Sequence, residues 1–146
     1  MKKLLILAML FSFVALFGAC GGGGSKNNNP ITQNIVNGKQ LYFAPESNYS
    51  NVGSDEQGLI LVSGQTYDFK AYVQNASGEI DSGYNCSNTA WTISGIGYFG
   101  SSNVKSTVGE TVTMTINAPA NTTGTLKLAL DGMIFSFPVK IAASIQ

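Results

Sequence analysis

Apolar and polar residues alternate with a period of two over most of the chain from Leu59 onward, a pattern typical of half-buried strands. Turn-forming residues recur at intervals of roughly eight to twelve positions, and no helical period appears. The run 66–74 is the longest alternating segment, and its apolar side chains are predicted to face a core. They are Tyr67, Phe69, Ala71 and Val73. The pattern predicts an all-β fold, a sandwich of about seven strands.

The C-terminal half contains the clearest hairpin. Asp131-Gly132 is a two-residue turn signal between alternating runs over 125–130 and 133–141. Pro138 has no amide hydrogen to donate, so the last strand is predicted to be an edge strand or to pair through only one side at that point. The remaining predicted strands are 59–62, 89–94 and 111–116, with weaker candidates at 96–99 and 104–108. Residues 41–43 are predicted to form a short strand or strap, and 45–58 a polar loop.

The first twenty residues have the pattern of an export signal. Two lysines precede an apolar run over 4–17, which is shorter than the about 20 residues that span a bilayer. The run ends in Gly18-Ala19-Cys20, which resembles the bacterial lipobox, with Phe17 standing where that motif prefers leucine. The resemblance implies cleavage after residue 19 and acylation of Cys20. A soluble secreted protein cut at an ordinary signal site is the alternative.

The segment 20–38 is rich in Gly, Ser and Asn and has few side chains that could bury apolar area, so it is predicted to be a flexible tether. The predicted organisation is therefore a lipoprotein signal peptide over 1–19, a lipidated tether over 20–38 and one sandwich domain over 39–146. The predicted location is the bacterial cell envelope, with the lipid bilayer as a partner through Cys20. Gly21 is not the aspartate that retains some lipoproteins in the inner membrane, which favours the outer membrane.

Several stretches of the chain are similar to the strands and turns of one family of domains. They are 64–78, 90–94, 117–119 and 124–132. The family comprises the bacterial immunoglobulin-like domains of intimin-like and invasin-like adhesins, and the resemblance covers roughly residues 59–141. It implies an immunoglobulin-like sandwich in which Trp91 on the C strand packs between the sheets, without the disulfide that joins strands B and F. The insert 81–88 lengthens the B to C connection, and one domain stands where such adhesins have several.

Charge and composition narrow the classes of function. Beyond residue 19 the chain has six lysines, no arginine and eight acidic residues, a net charge of −2, so a nucleic-acid partner is not predicted. The chain contains no histidine, which removes the commonest general base and zinc ligand. The acidic pairs Asp55-Glu56 and Glu79/Asp81 lack the spacing of a calcium loop and are predicted to be solvated turn charges. We therefore predict a protein that is not an enzyme and has no metal or cofactor.

Three tyrosines are the candidate ligand-binding residues. Tyr49, Tyr84 and Tyr98 occur in segments that also contain Ser, Gly and Asn, a composition typical of binding loops on sandwich domains. The alternative is that they are ordinary loop and strand-end residues. The predicted ligand is a glycan or an envelope protein.

Two residues are candidates for modification. Glu46-Ser47-Asn48-Tyr49-Ser50 resembles the acidic bacterial N-glycosylation sequon, which makes Asn48 a candidate acceptor. Cys86 is predicted to be a partly buried thiol, with an intermolecular disulfide or a redox role as the alternative.

These observations lead to two hypotheses about function. The first is a membrane-anchored lipoprotein whose immunoglobulin-like domain is a non-enzymatic binding or adhesion module. The second is a structural accessory lipoprotein of a larger cell-envelope complex. Sequence alone does not distinguish them.

Overall fold

Residues 31–55 and 58–145, which the computed structural model describes, form two β-sheets that pack face to face. The predicted signal peptide, Cys20 and the first part of the predicted tether lie outside the described residues. The strands are β1 (Thr32–Gln33), β2 (Lys39–Pro45), β3 (Val52–Asp55), β4 (Gly58–Val62), β5 (Thr66–Asn75), β6 (Ala90–Ser94), β7 (Gly97–Phe99), β8 (Ser106–Val108), β9 (Thr111–Ile116), β10 (Thr123–Leu130) and β11 (Met133–Ala142). Among these residues there is no helix whose length and hydropathy would let it cross a membrane.

Sheet A has the strand order β3-β4-β11-β10-β6-β8, with β1 also beside β11, and sheet B has the order β2-β5-β9-β7. The order of sheet B matches strands A, B, E and D of immunoglobulin domains, and β11-β10-β6 matches strands G, F and C. The prediction of an all-β, immunoglobulin-like sandwich is confirmed. The described strands outnumber the predicted seven because short strands such as β1 and β3 add to the edges of the sheets.

The core between the sheets is built by the predicted alternation. The four apolar residues of β5 predicted to face inward are at most 1% exposed. Trp91 on β6 is fully buried, and its indole Nε1 donates a hydrogen bond to the carbonyl oxygen of Gly109 over 2.8 Å. Phe43 on β2 stacks on Phe137 of sheet A, with ring centroids 4.8 Å apart. Aromatic side chains from both sheets therefore meet in one cluster, and large aromatic side chains contribute most to the energy of such a core.

The predicted hairpin between β10 and β11 is confirmed. Asp131 and Gly132 both have positive φ angles, 49° and 80°, and Leu130 pairs with Met133 across the turn. Positive φ at both central positions is the geometry that an Asp-Gly turn favours, because it matches the twist of the flanking strands.

The prediction that β11 is an edge strand is wrong, because β10 lies on one side of it and β1 and β4 lie on the other. The alternative, pairing through only one side at Pro138, is confirmed. Pro138 pairs with Thr125 of β10, and it falls in the gap between β1, which ends its pairing at Ser136, and β4, which begins at Val139. The missing amide donor is therefore placed where no ladder bond is required.

Three predicted segments on the N-terminal side also have wrong boundaries. The predicted tether extends too far, because β1 pairs with β11 and the side chain of Asn34 bonds to the backbone of both Gly132 and Ile134. The predicted loop 45–58 contains β3, and the predicted short strand at 41–43 is the seven-residue strand β2. Strands as short and polar as β1 carry no alternation that a sequence pattern could detect.

Candidate functional site

The structure places the three candidate tyrosines in different parts of the sandwich. Tyr98 lies within β7 and not in a loop, whereas Tyr49 begins a 3-10 turn, Tyr49–Asn51, beside the start of β5. Tyr84 lies in the connection that follows Asn75 at the other end of β5. The ten residues of β5 span roughly 30 Å, so the three tyrosines do not form one site. The sequence named them together as candidate ligand-binding residues, and the structure does not bring all three together.

Tyr84 is held in a small polar cluster that we call the loop latch, formed by Lys39, Asp81, Tyr84 and Asp131. The hydroxyl of Tyr84 donates a hydrogen bond to the Asp131 carboxylate over 2.8 Å, and the ammonium of Lys39 lies 5.3 Å from the centre of its ring. Lys39 also donates to the carboxylate of Asp81. The hydrogen bond to Asp131 raises the pKa of Tyr84, and the one from Lys39 lowers the pKa of Asp81. The latch fixes the connection 76–89 against β2 and the β10–β11 turn.

Cys86 lies in the same connection and is a free thiol with only 4% exposure. Burial raises the pKa of the thiol, which keeps it protonated and unreactive. The predicted buried thiol is confirmed, and the intermolecular disulfide stays a prediction.

The outer face of sheet B carries a second group of polar and aromatic side chains. Tyr98 pairs with Thr115, and Thr115 pairs with Thr66, so these three side chains form one row across β7, β9 and β5. Further along the sheet come the pairs Thr113–Asp68 and Thr111–Lys70 and then Tyr72. We call this surface the tyrosine–threonine face, and its members are Thr66, Asp68, Lys70, Tyr72, Tyr98, Thr111, Thr113 and Thr115.

Hydrogen bonds order part of this face. The hydroxyl oxygens of Thr66 and Thr115 lie 3.0 Å apart, and Thr113 donates to the Asp68 carboxylate over 2.6 Å. At the far side, the hydroxyl of Tyr72 donates to Glu46 over 2.8 Å. These bonds fix the side chains in defined positions, which lowers the entropic cost of binding a ligand.

The tyrosine–threonine face and its border carry more negative than positive charge. Glu46, Asp68 and Glu110 surround one cation, Lys70, which lies 3.0 Å from the Glu110 carboxylate and 5.7 Å from the centre of the Tyr72 ring. The bond to Glu110 raises the pKa of Lys70.

The pKa of Tyr72 is also raised, first by burial and then by its hydrogen bond to Glu46. Tyr49 adds a smaller electrostatic contribution in the same direction. Of the three candidate tyrosines, Tyr98 is a member of the tyrosine–threonine face, and Tyr49 directly follows residues 46–48, which bond to β5 at Thr66 and Asp68.

The face offers hydroxyl groups, carboxylates and half-exposed tyrosine rings on a regular sheet. The distance from Tyr98 to Tyr72 is roughly 20 Å, from six residue steps along the strands and two strand spacings across them. Rings that can stack, with hydroxyls and carboxylates beside them, suit a neutral or weakly basic polar ligand better than an anion. Sequence reasoning missed this surface, although the alternation Thr111, Thr113, Thr115 opposite a buried apolar set was a signal for it.

Asn48, the candidate glycosylation site, has a left-handed backbone conformation with φ of 55°. Its side-chain Nδ2 donates to the side-chain oxygen of Gln65 over 3.1 Å and to the carbonyl oxygen of Thr66 over 3.2 Å. A glycan attached at this nitrogen would disturb both bonds. Glycosylation of Asn48 stays a prediction.

In the described ranges 31–55 and 58–145, no three His, Cys, Asp or Glu side chains are placed to hold a metal ion.

No protein-family model matches the chain, and no curated protein matches it. Among solved structures, the chain is similar to domains 4 and 5 of the S-layer protein SbsC, with 18% sequence identity and a TM-score of 0.37 over 75% of this chain and 67% of that one. The assignment of the fold rests on strand order and pairing.

Proposed function

We propose that this chain is a lipid-anchored, non-enzymatic binding module of the bacterial cell envelope. The anchor is an acylated Cys20, and the outer membrane is its location. The support is the Gly18-Ala19-Cys20 sequence at the end of an apolar run, followed by Gly21. A full-length Cys20→Ser variant should lose palmitate labelling and leave the membrane fraction. Normal labelling and fractionation of that variant would rule out this anchor.

The observation that carries the binding function is the tyrosine–threonine face. Solubility requires only polar residues on an outer sheet face, whereas this one adds tyrosine rings at two of its borders and hydrogen-bonded carboxylates between them. Tyrosine offers a large amphipathic contact area at low entropic cost, so it is favoured in binding surfaces. The ligand is a glycan or an envelope protein, and it contacts Tyr98 and Tyr49.

The separation of the tyrosines supplies a matched set of variants. Tyr98→Ala and Tyr49→Ala each remove a ring near the tyrosine–threonine face, whereas Tyr84→Ala removes one at the other end of the sandwich. The mature chain, solubilised in mild detergent, would be tested on a glycan array and in pull-downs from envelope extract. We expect Tyr98→Ala to weaken binding about tenfold or more, as loss of an aromatic contact that carries much of the binding energy does. Tyr84→Ala should bind like the unmodified chain.

Two other outcomes would each contradict a different part of the proposal. If Tyr84→Ala alone abolished binding, the site would lie at the latch end. If the unmodified chain captured nothing, the binding function would be wrong and the accessory lipoprotein would replace it. Melting temperatures of all three variants control for loss of folding.

A further inference from the structure

The outer face of sheet A differs in chemistry from the tyrosine–threonine face. Its side chains are mainly small and hydroxylated, and two exposed lysines stand among them. Lys127 pairs with Thr92 on β6 and with Ser136 on β11, and Lys140 pairs with Thr123. We call this surface the lysine face, and its members are Ala90, Thr92, Ser106, Val108, Thr123, Thr125, Lys127, Ala129, Ile134, Ser136 and Lys140.

The charged members of the lysine face are Lys127 and Lys140, and both are positive. Strands β6, β8, β10 and β11 contain no Asp or Glu, so Lys127 and Lys140 have no carboxylate beside them within those strands. The described acidic residues closest to these strands along the chain are Asp131 in the hairpin turn and Glu110 just after β8, and Glu110 pairs with Lys70 on sheet B. A surface of this kind is complementary to anionic groups.

An apolar row crosses the same face. Val108 on the edge strand β8 is 64% exposed and pairs with Ala90, which pairs with Ala129, which pairs with Ile134 on β11. The side chains in this row share the outer side of the sheet. An exposed valine beside alanines gives a flat, weakly apolar strip that could contact the boundary between headgroups and acyl chains.

The described chain begins at sheet A, a short distance along the sequence from the proposed anchor. The described chain begins at Ile31, immediately before β1, and β1 lies against β11 within sheet A. Eleven residues, 20–30, separate the described chain from the proposed lipid attachment, and eleven residues span at most about 40 Å. The chain therefore enters the domain on sheet A, within that distance of the bilayer.

From these observations we infer that the lysine face is a membrane-docking surface that lies against anionic phospholipid headgroups. The inference rests on the proposed anchoring through Cys20. One lysine near an anionic surface changes the binding constant about fivefold, so two lysines alone bind weakly. A short tether makes the contact intramolecular, with an effective concentration in the millimolar range, so weak contacts of this kind are populated. Docking would leave the tyrosine–threonine face, on the opposite sheet, open to solvent.

The test uses the mature acylated chain in vesicles, either of neutral phosphatidylcholine or with a third of phosphatidylglycerol. Flotation of the vesicles first reports whether the chain is anchored. Brief treatment with an acetylating reagent, followed by peptide mass spectrometry, then gives the modification rates of Lys127, Lys140 and Lys70. We expect the two lysines of the lysine face to be modified several-fold more slowly in anionic than in neutral vesicles. Lys70, on the opposite sheet, should show no such change.

Variants with a single charge reversal test whether the protection depends on the charge of the lysine face. Lys127→Glu should return the rate at Lys140 to its value in neutral vesicles, whereas Lys70→Glu, the matched reversal on sheet B, should leave the protection intact. Chain that does not float would contradict the proposed anchor. Chain that floats with equal rates in both vesicles would overturn the docking inference alone. Protection that is the same in neutral vesicles and rises with protein density would assign the face to a second copy of the chain instead.

Discussion

The two outer faces of the sandwich are made by the same kind of strand but differ in charge and in side-chain size. The tyrosine–threonine face has three carboxylates around Lys70 and tyrosine rings at its borders. The lysine face has two lysines, no acidic residue within its strands, and otherwise mainly small side chains, including a row of Ala and Val. This difference suggests that one sheet recognises a ligand while the other orients the domain on the membrane.

One core supports both faces, since the inward side chains of each strand alternate with the outward ones. Changes in the core should therefore affect both faces together, while changes on a single sheet should affect one.

Trp91→Ala should destabilise the domain by about 3 to 5 kcal/mol, because it empties a large buried volume and removes the bond to Gly109. Thermal unfolding followed by circular dichroism would measure the loss. Ligand binding and membrane docking should both decline as the unfolded fraction increases. A melting temperature within a few degrees of the unmodified chain would show that the two sheets do not depend on this shared residue.

Gly97→Ala should damage sheet B selectively. A Cβ at this position would lie 2.2 Å from the carbonyl oxygen of Thr115, so β7 would have to move away from β9. We expect a cost of about 1 to 3 kcal/mol, together with faster hydrogen exchange in β7 and β9 but not in β10. Gly83→Ala is the control, since its nearest contact is a side-chain oxygen of Asp81 at 3.5 Å. Equal effects of the two substitutions would contradict the close packing of β7 on β9.

The smallest predicted effect concerns the loop latch between the two faces. Because the hydrogen bond from Lys39 lowers the pKa of Asp81 in the folded chain, its stabilising contribution is present above the unfolded pKa. That contribution is lost as the pH falls through the folded value, so the connection 76–89 should loosen below about pH 4. Hydrogen exchange in this segment would show the change. Asp81→Asn should remove the pH dependence, and a persistent dependence in that variant would assign it to another group.

Alternation in the sequence was sufficient to predict the core and the main hairpin. Within each strand, inward residues such as Phe69 on β5 or Leu128 on β10 alternate with outward ones. Their burial follows directly from the geometry of a strand. Gln74 departs from this rule, because it belongs to the polar side of β5 and yet is only 2% exposed. Ile80 pairs with it because the chain folds back just after β5, and such a return of the chain has no signal in the alternation within a strand.

The candidate site was predicted less well than the fold, for a related reason. Tyr49, Tyr84 and Tyr98 were correctly recognised as residues outside the core, since all three are partly exposed. Which of them lie on a common surface depends on how the strands order themselves in two sheets, and composition does not encode that order. The latch shows the same limit, because the partners Lys39 and Asp131 of Tyr84 lie far from it in sequence.

Under the docking inference, sheet A lies against the membrane while sheet B is directed away from it. The most direct measurement attaches an environment-sensitive fluorophore to Thr92→Cys on sheet A or to Thr111→Cys on sheet B, in acylated chains that also carry Cys86→Ala. Lipids with a quencher in the headgroup are then added to anionic vesicles. Docking through sheet A predicts strong quenching at position 92 and little at position 111. Equal quenching at both positions, or stronger quenching at position 111, would contradict it.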